Sequence, residues 1–190
     1  MFKTVSVIAL ASAVLLAAGC GRKPAPTVNA SMTQVMAPQA QTIWDITSHA
    51  FNDKGDGLDG SKISEADWVK LADAGRRLQE RAMVLAKAHH ITAAAPGEII
   101  MGGEAAGAPS PIGHTWDAAN ASKVQGFIDG NPALFAQRAQ ILAEAGAALA
   151  KAARTKDVRT AYQVSSNLDE DCDGCHKPFW GTDEPPPFPH

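Results

Sequence analysis

Apolar residues recur at helical three-and-four spacing in four stretches of this chain, separated by runs rich in Gly, Pro and polar residues. Ser31 followed by Gln34 has the form of a capping box, and Met32, Met36, Ile43, Ile46 and Ala50 continue the period. A first helix is therefore predicted from residue 31 to about residue 51. Pro38 interrupts it, which predicts either a kink or a later start, because proline removes an interior hydrogen bond. Residues 52–60 (NDKGDGLDG) look like a calcium loop only superficially. Lys54 falls on the third ligand position and Ile63 on the twelfth, so a polar turn is predicted instead.

Ser64 and Asp67 cap a second predicted helix over residues 65–89. It has one row of Leu71, Leu78 and Leu85 and another of Trp68, Gly75, Ala82 and His89. Residues 91–114 have no period and read as a long loop. A third helical region is predicted from about residue 115, broken at Gly130-Asn131-Pro132 and restarted by the Asn cap and first-turn proline. Phe135, Leu142 and Leu149 then form a large row beside a small one of Ala139, Gly146 and Ala153. Such a pair lets helices approach closely or leaves room for a flat ligand. A fourth helix is predicted over about residues 157–175, before a proline-rich tail at residues 182–190.

Composition sharpens this into a fold class. Alanine supplies 36 of 190 residues against a single tyrosine, which favours helices over a β sandwich or barrel. The formal charge is -3 with 19% charged residues and no basic stripe, so a nucleic-acid partner is not expected. The three cysteines, Cys20, Cys172 and Cys175, are too few for a disulfide framework.

Residues 1–19 read as an export signal: Lys3, then an apolar run too short to span a membrane, then Leu15-Leu16-Ala17-Ala18-Gly19 before Cys20. This resembles a bacterial lipoprotein signal, in which the cysteine becomes lipidated and N-terminal after cleavage. The resemblance implies a chain anchored through Cys20 on the periplasmic side of a bacterial membrane. The alternative is an ordinary secretory signal and a soluble periplasmic protein. Residues 20–30 read as the lipidated N-terminus and tether, and residues 31–181 as the folded domain.

The chemistry lies in Cys172-Asp173-Gly174-Cys175-His176. Covalent haem attachment needs two thiols separated by two residues and a histidine directly after them to meet the iron. Composition alone would produce this pattern about 0.0015 times in a chain of this length. A thioredoxin-like reading lacks its βαβ context. A zinc reading lacks a second ligand pair at suitable spacing. A disulfide between Cys172 and Cys175 would leave His176 unexplained.

A four-helix chain with CxxCH in its last helix resembles the class II c-type cytochromes, the cytochrome c-prime and c-556 group. The stretches RAQILAEAGAALAKAARTKD and LDEDCDGCHKPFW, with Phe179 just after the motif, add to the likeness. The resemblance implies an all-α, antiparallel up-down four-helix bundle holding one covalent haem c near the C-terminal helix. It implies an electron carrier rather than an enzyme, with His176 as proximal ligand and a methionine of the first helix as distal ligand. Met32 is preferred and Met36 is the alternative, since the ligand of the group lies near the start of that helix. Members of the group often pair through their first two helices, so a homodimer is a further expectation. An unidentified redox partner with a basic patch would suit the acidic balance.

Two other readings stay open. Without a distal ligand the same chain would be a five-coordinate gas-binding protein. Without haem it would be a thiol or metal-binding lipoprotein. His49 and His114 are weaker distal alternatives, while His89, His90 and His190 read as surface residues. Arg76, Arg77 and Arg81 could meet haem propionates but read as a solvated helix face. Trp44, Trp68, Trp116 and Trp180 read as core or haem-pocket walls.

Overall fold

The computed structural model describes residues 26–100 and 119–180. The first helix, α1, runs over residues 28–48 as three consecutive pieces: Val28–Ser31, a π-helical turn Met32–Met36, and Ala37–Ser48. Its cap is Thr27, whose hydroxyl accepts from the Ala30 amide. Ser31 is not the cap. It lies fully buried inside the helix and donates its hydroxyl back to the Thr27 carbonyl at 2.8 Å. The start was misread because Thr27 lies outside the apolar period that marks the rest of the helix. Pro38 neither kinks the chain apart nor starts the helix. The π turn takes in one extra residue just before it, with the Ala37 amide bonding five residues back to Met32, and the helix continues.

The loop after α1 closes on Asn52, whose side-chain oxygen accepts from the amides of Lys54 and Asp56, and Phe51 pairs with Leu58 across it. Helix α2 is Glu65–Ala86, capped by Ser64 accepting from the Asp67 amide as predicted. It stops at Ala86, so His89 and His90 sit beyond its end on the surface. Residues 91–93 are not loose. Val28 and Asn29 donate their amides to the carbonyls of Thr92 and Ala93, and the Gln125 side chain bridges Ile91 and Ala93. This ties the start of α1 to the connection and to the next helix. Helix α3 is Ala121–Gly130, capped by Asn120 rather than beginning near residue 115, and Trp116 and His114 lie outside the described residues. Helix α4 is Pro132–Thr155, capped by Asn131, and α5 is Val158–Phe179, capped by Asp157. The last helix thus runs four residues past its predicted end, with Pro178 in its final turn.

Among the described residues the fold is all-helical, with no strand and only two isolated bridges. Helix α2 packs along α4, and α4 along α5, while α1 lies against α2 and α5. The predicted rows are the core. Leu71, Leu78 and Leu85 of α2 meet Phe135, Leu142 and Leu149 of α4, all at most 7% exposed. The small row decides how close the two helices come. A Cβ on Gly75 would stand 2.7 Å from the Gly146 carbonyl oxygen, and one on Gly146 would stand 2.6 Å from that of Gly75. Backbone therefore touches backbone there, and no flat ligand fits between α2 and α4 at that level. No helix among the described residues is long and apolar enough to cross a membrane.

Candidate functional site

The last two turns of α5 carry the Cys-Asp-Gly-Cys-His sequence. Helical geometry puts residues three apart on neighbouring points of one face, so Cys172 and Cys175 both project inward. Both pack against the hydrophobic core, in the same cluster as buried Met36 and half-buried Met32 of α1. Phe179 is what seats this end of α5. It is 5% exposed and meets Phe135 of α4 edge-to-face, with ring centroids 5.3 Å apart. The His176 ring lies half-buried against Trp180, at 5.2 Å between centroids and tilted by 58°.

Burial governs the titration of this turn. It pushes the Cys172 thiol up to about 12, reinforced by Cys175 and by the carboxylates of Asp169, Asp171 and Asp173. It pushes Cys175 up to about 11, opposed by the charge of Arg138. Burial also lowers the pKa of His176, opposed by Asp173. At neutral pH the turn therefore presents two protonated thiols and a neutral imidazole. A redox CxxC works the other way, with a thiolate stabilised at a helix N-terminus, whereas this pair sits at the negative, C-terminal end of its helix. Among the described residues no three His, Cys, Asp or Glu side chains converge as a metal cage.

Beside the turn, α4 and α5 enclose an open cleft of about 530 Å³. Arg138 and Ile141 line it from α4, and Asp169, Glu170, Asp171, Asp173, Gly174 and Lys177 from α5. Lys177 pairs with Asp173 at 2.9 Å. Burial pushes the Asp171 carboxyl up, with the Glu170 charge adding and Arg138 opposing. Arg138 is the residue that the sequence reading missed: its Nε is buried and makes no hydrogen bond. A signal was present, because Leu134, Arg138, Ile141 and Ala145 form a half-buried row into which an arginine intrudes.

The remaining candidates are distributed as follows. Met32 and Met36 lie in the π turn of α1, Met36 buried at 4% exposure. His49 ends α1 on the surface, its Nδ1 2.6 Å from the Asp45 carbonyl oxygen. Arg76 and Arg77 pair with Asp73 on the solvent face of α2, and Arg76 also pairs with Glu80, so neither reaches the turn. Trp68 is core, whereas Trp44 and Trp180 are half-buried. Cys20 lies outside the described residues. Family models, curated proteins and solved structures give no match to this chain.

Proposed function

We propose that this chain is an exported monohaem c-type cytochrome, an electron carrier built as an up-down antiparallel four-helix bundle from α1, α2, α4 and α5. The observation that carries the reading is the CxxCH turn: two inward thiols and a neutral histidine on the last turns of one helix, packed on the core of an all-helical chain. The donor set fits haem c, since both thiols can be consumed as thioethers and a neutral imidazole is the form that ligates iron. When bound, the haem supplies a one-electron ferric–ferrous couple.

The chain's own groups have distinct roles in this reading. Cys172 and Cys175 fix the macrocycle covalently. His176 takes the proximal position, with Trp180 against its ring. Met32 takes the distal position, with Met36 as the alternative. The unbroken helix through Pro38 supports Met32, because residue 32 lies in ordered helix one turn inside the Thr27 cap. A π turn at that place also accords with the frequent use of π-bulges at functional sites. The close contact at Gly75 and Gly146 excludes the ligand from the α2–α4 seam and leaves the side of the bundle shared by α1 and α5. Lipidation of Cys20 would hold the domain at the periplasmic face of a membrane, and a redox partner with a basic surface would suit the acidic chain.

Expression in a host that attaches haem to exported chains tests this directly. The haem should stay with the protein through acid-acetone extraction, and its reduced spectrum should be low-spin. In Met32→Ala the low-spin signature should be lost, and in Met36→Ala it should be retained. A wild-type high-spin spectrum with ready carbon monoxide uptake would replace electron transfer by the gas-binding reading. Absence of covalent haem would leave a thiol or metal-binding lipoprotein.

A further inference from the structure

We propose that Arg138 sets the potential of this site: its guanidinium, held on the attachment turn, is a fixed positive charge that favours the reduced haem. The inference rests on the haem reading above. The placement is specific. A Cβ on Gly174 would stand 3.3 Å from Nη1 and 3.7 Å from Cζ of Arg138, so the guanidinium lies directly over the residue before Cys175. Glycine at position 174 leaves the room it occupies.

The guanidinium is half-buried on the wall of the cleft, with Nε buried and without a hydrogen bond. Of the acidic residues lining that cleft, Asp173 is engaged by Lys177 at 2.9 Å. Asp169, Glu170 and Asp171 share the cleft and reduce the field of Arg138, but it is the guanidinium that stands at contact over Gly174.

The sign follows from charge balance. Reduction adds one electron to the ferric haem and moves no atom or proton, so the site loses one positive charge. A neighbouring cation destabilises the ferric form more than the ferrous form, and the potential rises. A guanidinium is a permanently charged group.

The test is mediated potentiometry on the haem-loaded wild type and on Arg138→Gln, Arg138→Leu and Arg138→Lys, at pH 6 and pH 8. Loss of the charge should lower the reduction equilibrium constant at least fivefold, about 40 mV at 59 mV per tenfold for one electron. The drop should be the same at both pH values. Arg138→Lys should recover more than half of it, which a purely steric role for the side chain would not predict. Leucine is included as a second neutral variant, so that a fold defect in one does not hide the result. A reduction equilibrium constant within twofold of wild type, about 18 mV, in either neutral variant with an unchanged spectrum overturns the proposal and leaves the haem reading intact. A wild type that lacks covalent haem overturns both.

Discussion

At the scale of single residues, the thiols of the CxxCH turn carry the sharpest consequence of burial. An ordinary cysteine near 9.0 is about one-tenth thiolate at pH 8, whereas values of about 12 and 11 leave about 10⁻⁴ for Cys172 and 10⁻³ for Cys175. In haem-free protein folded as described, alkylation at pH 8 should therefore be slower than in urea by about 10³ at Cys172 and 10² at Cys175. Both rates should climb about tenfold per pH unit above pH 8. Mass spectrometry of iodoacetamide adducts against time measures this, and equal rates with and without urea would show that the turn is open. The residues that define the turn were legible because their chemistry depends on local spacing along one helix. Arg138 was not, because its meaning depends on Gly174, thirty-six positions away. Periodicity marks which face a side chain occupies, but not which neighbour fails to satisfy it.

At the scale of elements, the α2–α4 seam is held by two glycines whose missing side chains are the contact. Adding a methyl to either one drives it into backbone rather than into a side chain that could swing away. Gly75→Ala and Gly146→Ala should each destabilise by about 1–3 kcal/mol, the usual cost of overpacking. Chemical unfolding curves check this, and an unchanged midpoint in both variants would mean that the helices can separate freely. The rows themselves were readable from the sequence, which left open whether the small one served close packing or a ligand. The helix ends were read unevenly. Ser64 and Asn131 sit beside strong apolar periods and were found, and the start of the last helix was placed at Asp157, its cap, whereas Thr27 and Asn120 precede weaker periods and were not found.

These ends also set the response to acid. Asp157 is held below its ordinary 3.8 by the Thr160 hydroxyl and amide, and Asp67 by the Lys70 ammonium and the Ser64 hydroxyl. A carboxyl depressed in the fold stabilises above its unfolded value and loses that contribution as pH falls through the folded one. The melting temperature should therefore decline below about pH 5 and keep falling under 3.8. Asp157→Asn keeps a capping oxygen but cannot titrate, so its acid limb should be shallower than that of wild type. Parallel limbs in thermal melts from pH 7 to pH 2.5 would remove Asp157 from the account.

At the scale of the whole molecule, charge and architecture act together. The arrangement of α1, α2, α4 and α5 around shared contacts is the level at which the sequence said least, because periodicity names faces without saying which faces meet. The chain is acidic at -3, and cleavage before Cys20 would remove Lys3 and leave −4. The carboxylates of Asp169, Glu170, Asp171 and Asp173 gather next to the CxxCH turn, only partly offset by Arg138 and Lys177. The field outside this end of α5 is therefore negative, although the Arg138 guanidinium stands over the CxxCH turn itself. The exposed carboxylates act at a distance through water, while the Arg138 guanidinium acts on the turn at contact. Small redox reagents separate the two effects. Reduction by a cationic reagent should slow as salt rises from 10 to 500 mM, and reduction by an anionic one should quicken. Glu170→Gln should flatten both salt dependences while leaving the reduction equilibrium constant within twofold of wild type. Arg138→Gln should instead move the potential and steepen the salt dependence with the cationic reagent. Stopped-flow rates at matched driving force measure the first effect and potentiometry the second. If Glu170→Gln shifted the potential as far as Arg138→Gln does, the distinction between the screened rim and the charge at contact would fail.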